Sequence, residues 1–217
     1  MLDKENFKLE NQRLIEHLRF MGIKDENVLK AILDVPRHLF LPKSMWNVAY
    51  ADDALPLEHG QTISQPYTVA IMLEALELKK GDKVLEVGTA SGWNACLIAK
   101  IIDPGIIYTT EIIKELVEYA GKNIKRLDIK NIKITHTDGS QGYEKEAPYD
   151  KIIVTCACKE IPPPLVKQLK NNGILVAPVG SKYSQQMIKI TKQGKKLKKD
   201  YLGDFIFVQL KGKYGWD

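Results

Sequence analysis

From residue 83 to about residue 180, short β-branched runs alternate with helical stretches, and this alternation constrains the fold more than any other feature of the chain. Parallel neighbours in a sheet need a long crossover, and a helix is the usual way to build one. The pattern predicts strands over 83–87, 106–110, 131–135, 151–155 and 174–179, with helices near 93–101, 112–126 and 164–170. Breakers stand at Asp103-Pro104-Gly105 and Asn171-Asn172-Gly173. Five strands and their crossovers make a doubly wound parallel sheet. Beyond Gly180, residues 186–191 and 205–210 read as two more strands joined only by a polar, lysine-rich loop. The expectation is therefore an α/β, mostly parallel seven-stranded sheet that ends in an antiparallel pair.

Residues 1–80 look different. Helices are expected near 5–20, 25–34 and 67–78, around a proline-punctuated passage that runs to Pro66. Asp25 sits where an N-cap belongs, and Met72, Leu73, Ala75 and Leu76 give the last helix an apolar face. We read 1–80 as a helical extension covering one end of the sheet and 81–217 as the α/β domain. A length of 217 residues suits one core with an extension, and 44% hydrophobic residues suffice to bury it.

Several function classes are disfavoured at this point. The start of the chain is charged and no apolar run approaches a membrane span, so neither a signal peptide nor an anchor is expected, and a cytoplasmic protein is the default. Net charge is +5, but only four of the 32 basic residues are arginines, the side chain best suited to base-edge and bidentate phosphate recognition. No nucleic-acid partner is expected. Three cysteines form no C-x-x-C pair and four histidines are scattered, so no metal site is expected; Cys156 and Cys158 read as packing residues. The run 192–199, with five lysines, reads as a solvated hairpin tip.

The first strand of the alternating region runs straight into Glu86-Val87-Gly88-Thr89-Ala90-Ser91-Gly92-Trp93, with a helix to follow. Small residues in such a turn let the backbone approach a ligand, and the helix N-terminus favours a negative group. A dinucleotide loop needs G-x-G-x-x-G, which fails here at Ala90 and Trp93. The spacing acid-x-G-x-small-x-G does match, at Glu86, Gly88, Ala90 and Gly92. It resembles motif I of the S-adenosylmethionine-dependent methyltransferases, which implies a Rossmann-like fold. Ligands of open α/β sheets bind outside the carboxyl ends of the strands. Glu111 ends the second strand, where its carboxylate could accept from ribose hydroxyls. Asp138 and Gly139 follow the third, where they could meet an adenine edge. Each acid alone is also an ordinary cap.

The acceptor of the methyl group is a separate question. Base and amide methylases usually carry an N/D-P-P-Y/F motif after the fourth strand, and here that stretch is Thr155-Cys156-Ala157-Cys158-Lys159-Glu160. The segment Gly60-Gln61-Thr62-Ile63-Ser64-Gln65-Pro66-Tyr67 has two readings. One is a helix cap, with a hydroxyl close before a proline that opens a helix. The other comes from similarity, because it closely resembles the signature of the protein-L-isoaspartate O-methyltransferases. The likeness continues through Val35-Pro36-Arg37-His38-Leu39-Phe40-Leu41-Pro42, Val84-Leu85-Glu86-Val87-Gly88, Asp138-Gly139-Ser140-Gln141-Gly142-Tyr143, Ala147-Pro148-Tyr149-Asp150, Leu175-Val176-Ala177-Pro178-Val179-Gly180 and Phe207-Val208-Gln209-Leu210.

The resemblance implies a protein repair enzyme. It would use S-adenosyl-L-methionine, leaving S-adenosyl-L-homocysteine, to methylate the α-carboxylate of L-isoaspartyl residues in damaged proteins. The ester would then close to a succinimide and reopen in part as L-aspartate. Carried over by position, Ser64 is the catalytic residue. Gln61, Thr62, Ile63 and Ser64 lie between cofactor and peptide, and Ser64 and Tyr67 face the substrate. Glu86, Gly88, Ala90, Gly92, Glu111, Asp138 and Gly139 belong to the cofactor site. Three departures stand out: Ala90 replaces a common glycine, Glu58 stands where glycine is frequent, and Cys156 and Cys158 occupy a stretch that is usually alanine-rich. The chemistry fits what is absent, since a carboxylate is already ionised at neutral pH and needs no strong base or metal to attack. The residues alone leave two alternatives open: an RNA methyltransferase, suggested by the lysine run, and a non-catalytic adenosylmethionine-binding protein, suggested by Ala90 and the lack of a general base.

Overall fold

The computed structural model describes residues 4–216. Three helices come first: α1 (Lys4–Phe20), α2 (Glu26–Asp34) and, after a short hairpin of β1 (Leu55–Pro56) and β2 (Thr62–Ile63), α3 (Pro66–Leu76). The alternating region follows as β3 (Lys83–Val87), α4 (Trp93–Ile102), β4 (Ile106–Glu111), α5 (Lys114–Arg126), β5 (Ile132–His136), β6 (Tyr149–Val154), α6 (Pro163–Gln168) and β7 (Leu169–Gly180). It closes with β8 (Gln185–Gln193) and β9 (Lys196–Phe205). The seven-stranded sheet has the order β5-β4-β3-β6-β7-β8-β9, with β3 to β7 parallel and β8 and β9 antiparallel.

Side chains alternate across this sheet with period two. Val84, Ile107, Ile153, Ile174 and Val176 face one layer, where α1 to α4 contribute to a continuous buried cluster. Leu85, Val87, Ile152, Val154, Leu175 and Ala177 face the other, covered by Leu165 of α6 and by the returning C-terminal segment at Leu210. Strands buried on both faces read as unbroken apolar runs, which is why they were legible. Asp25 caps α2 as expected, its carboxylate accepting from the backbone of Asn27 and Val28.

Three expectations need correction. The helical extension is not confined to one end of the sheet, because α3 lies on its face against β6 and β7 and α2 packs on α4, while residues 61–68 reach the crevice above the strands. Seven of the eleven residues of α3 are buried, so it needs a broad apolar surface rather than a rim. The breaker Asn171-Asn172-Gly173 lies inside β7, where a register shift and a left-handed Asn172 (φ 62°) absorb the turn, and α6 therefore ends early at Gln168. The last strand is Lys196–Phe205 rather than 205–210, and the lysine run is mostly strand. As an exposed edge, β9 carries no apolar alternation to reveal it, and edge lysines discourage further pairing. Among the described residues, no helix is long and apolar enough to cross a membrane.

Candidate active site

The parallel sheet reverses its strand order between β3 and β6, and the crevice above that point is where an open α/β fold binds ligands. Gly88 ends β3 with φ 99°, and a Cβ there would run into Thr155 Oγ1 at the end of β6. Thr155 Oγ1 in turn donates to the Gly88 carbonyl at 2.7 Å. A thin, pinned turn at the crevice is thus the reason for glycine at this position. Ala90 adopts a left-handed φ of 46° without glycine's freedom, at a cost of about 1–2 kcal/mol. The Glu58 departure carries no such cost, since the left-handed residues of the β1–β2 turn are His59 and Gly60.

A cavity of about 600 Å³ opens above this turn, a size suited to a nucleoside-type ligand. Gln61, Thr62, Ile63, Ser64 and Tyr67 line it from one side, and Gly88, Ala90, Glu111 and Gly139 from the other. The structure therefore brings the Ser64 segment and the glycine turn to one cavity. Glu111 is nearly buried and accepts backbone N–H bonds from Ala90 (3.0 Å), Ile112 (2.9 Å) and Ile113 (3.0 Å). Three of roughly four acceptor positions on its carboxylate are filled, so as it stands it has room for one further hydroxyl rather than two.

Glu86, Gly92 and Asp138 lie outside the cavity wall. Glu86 is fully buried and accepts from Asn94 Nδ2 (2.7 Å) and Thr109 Oγ1 (2.5 Å), tying the turn to α4 and β4 from behind. Burial pushes its carboxyl up to about 7, against those two hydrogen bonds. Gly92 is the left-handed N-cap of α4, packed on Ala120 and Ile124. Asp138 accepts from Ser140 N and Oγ, from Gln141 and, across 75 residues, from the backbone N–H of Lys213 at 2.9 Å. Burial raises its carboxyl, and these bonds outweigh burial and hold it below the usual carboxylate range. The C-terminal strap thus occupies the carboxylate that the sequence assigned to an adenine edge.

The Ser64 segment is held from two sides. The guanidinium of Arg37, 1% exposed, donates to the carbonyls of Ala49 (2.7 Å), Ala51 (3.2 Å), Asp53 (2.8 Å) and Ser64 (3.1 Å). Asp52 accepts from the backbone N–H of Tyr67 (2.8 Å) and from Gln65 Nε2 (3.1 Å). Asp52 therefore does the capping that sequence could have given to Ser64: the N-cap of α3 is Gln65, which makes no side-chain cap bond. This frees the Ser64 hydroxyl for the cavity.

Neither Arg37 nor Asp52 was singled out from the sequence. Arg37 lay in a recognised block but gave no sign of its partners, and Asp52 lies 15 residues before the N–H it caps. A further wall was also missed. A bulge at Gly203 (φ 120°) shifts the register of β9 before Asp204 and Phe205 pair with Gln186 and Gln185; residues 206–211 then leave the sheet edge along the cavity, with Gln209 bridging to Ala157. Bulges beside binding sites redirect a strand in this way. Cys156 also lines the cavity, but burial raises its thiol well above the ordinary value and that of Cys158 to about 12, which leaves both inert.

Comparison with known proteins agrees with this geometry. The family model for protein-L-isoaspartate(D-aspartate) O-methyltransferase (PCMT) matches residues 9–215. A protein-L-isoaspartate O-methyltransferase of Dictyoglomus thermophilum is 46% identical over 214 residues, covering 99% of this chain and 96% of the relative. One of Pyrococcus horikoshii is 45% identical over 219 residues, covering 100% and 99%. A solved protein-L-isoaspartate O-methyltransferase superposes with a TM-score of 0.87 at 31% identity, over 94% of this chain and 67% of that one. A second, from Plasmodium falciparum in complex with S-adenosyl-L-homocysteine, gives 0.81 at 33% identity, over 93% and 98%. A match that runs through both walls of the cavity and nearly the whole sheet leaves one assignment: the chain belongs to the protein-L-isoaspartate(D-aspartate) O-methyltransferase family.

Proposed function

We propose that this chain transfers a methyl group from S-adenosyl-L-methionine to the α-carboxylate of L-isoaspartyl residues in damaged proteins, starting their repair through a succinimide. What carries the reading is one cavity shared by the Ser64 segment and the glycine turn, in a chain of this family. The cavity volume, the thin Gly88 wall and the free acceptor position on Glu111 suit an adenosine-type ligand. When bound, that cofactor supplies an electrophilic methyl group on a positively charged sulfur.

The remaining work falls to this chain's side chains. The attacking carboxylate is ionised at neutral pH, so no residue has to remove a proton from it. Ser64 donates a hydrogen bond that orients it, and Arg37 and Asp52 fix where Ser64 stands. Alignment of this kind can supply several kcal/mol, about 7–11 at the upper end. Phe207 and Val208 give the site an apolar wall. The reading gives no role to a metal or a nucleic acid and places the protein in the cytoplasm.

The decisive experiment offers labelled cofactor with two peptides that differ only in aspartyl or isoaspartyl linkage. Base-labile label on the isoaspartyl peptide alone is expected. Equal labelling of both, or of neither, would overturn the assignment, and alkali-stable label on RNA would replace it with the nucleic-acid alternative.

A further inference from the structure

The cavity runs across the top of the sheet. Glu111 ends β4 and Gly139 comes shortly after β5 on one half, whereas Ile206 directly follows β9 on the other. With the cofactor read at the first end, the substrate chain must leave toward β9.

A second concavity, of about 290 Å³, lies on that side. Its wall includes Met21, Ile23, Tyr67, Ile71, Ala75 and Leu202, and Met21 and Tyr67 also line the main cavity, so the two adjoin across these side chains. Glu74 is its one charged side chain, and its Oε1 is taken by the backbone N–H groups of Lys24 (2.8 Å) and Asp25 (2.7 Å). Large apolar side chains stand in water nearby, with Phe20 87% and Ile206 81% exposed. Exposed apolar surface that adjoins a binding site marks an interaction surface. Leu202 belongs to β9, so the concavity spans the gap between α3 and the edge strand of the sheet.

We propose that this second concavity is a subsite for an apolar side chain of the substrate polypeptide, within a few residues of the isoaspartyl residue. This rests on the isoaspartyl reading of the main cavity. Its consequence is selection: apolar side chains are buried in intact proteins and exposed by local unfolding. Damage within a loosened segment is then methylated ahead of the same damage on a well-folded surface.

The test uses isoaspartyl peptides of equal length and charge, with serine or leucine placed at one flanking position at a time, up to three residues on either side. Leucine at one or two adjacent positions should lower KM about tenfold with kcat unchanged, as expected for partial burial of an apolar side chain. In Ile71→Ser and Ala75→Glu that preference should fall below twofold, while KM for the all-serine peptide and affinity for S-adenosyl-L-homocysteine stay as in the parent. A KM that is indifferent to leucine at every position, or a preference that survives in both variants, overturns the subsite. Absence of turnover on every isoaspartyl peptide instead removes the functional reading, and the subsite with it.

Discussion

Arg37 Nη2 donates to the main-chain oxygen of Ser64 at 3.1 Å, so a cation buried beneath the helical layer sets the position of the residue at the cavity. Burial lowers the Arg37 guanidinium to about 10, and Asp52 and Asp53 partly offset this, which leaves it charged at neutral pH. Replacing it with alanine would strand four carbonyls, a loss of about 3–5 kcal/mol. For Arg37→Ala we expect a clear drop in unfolding midpoint together with lower kcat. Arg37→Lys should recover only part of both, because an ammonium cannot reproduce the planar fork. Parent-like kcat in Arg37→Ala would sever the link to Ser64.

Ser64 and Glu111 should separate turnover from cofactor binding. Ser64→Ala loses one hydrogen bond to a charged group, worth about 1.5–3 kcal/mol, so kcat should fall roughly 10- to 100-fold. Its affinity for S-adenosyl-L-homocysteine should stay within about twofold by calorimetry. Glu111→Ala should raise that dissociation constant at least about tenfold. An unchanged constant would remove Glu111 from the cofactor site.

Glu86 predicts a pH dependence of stability. Its folded-state value of about 7 lies above the ordinary 4.5, so between those limits the native protein holds a proton that the unfolded chain has released. The stabilisation is complete below about pH 4.5 and is lost as pH rises through about 7, amounting to about 1–3 kcal/mol. Denaturant titrations of parent and Glu86→Gln across pH 5–8 measure it, and the difference between the two should shrink as pH falls. A pH-independent difference would mean the carboxyl titrates normally.

Ala90→Gly should be neutral or stabilising by up to about 1 kcal/mol, since relief of the left-handed strain exceeds the added flexibility of the unfolded chain. The same change in an ordinary helix costs about 1 kcal/mol, so the sign is diagnostic. A chemical denaturation midpoint reads it directly.

The buried strands β3, β4, β6 and β7 and the helices around them were legible because their signals are local: apolar runs, a capping Asp25, a glycine turn between strand and helix. The cavity residues on either side were legible as two separate motifs, and similarity joined them. The signal failed where a residue's role depends on a distant partner. Nothing near Asp138 in sequence announces that its carboxylate accepts from the N–H of Lys213, and nothing near Asp52 announces that it caps α3.

By itself, the sequence determined the α/β class, the glycine turn and the family, because strand burial, backbone freedom and family signatures are carried by neighbours along the chain. The tertiary structure alone decided that β9 forms the edge, that residues 206–211 return from it to wall the cavity, and that Arg37 and Asp52 hold Ser64. Those outcomes depend on long-range pairing of backbone donors and acceptors, and such pairing leaves no periodic trace in the order of residues.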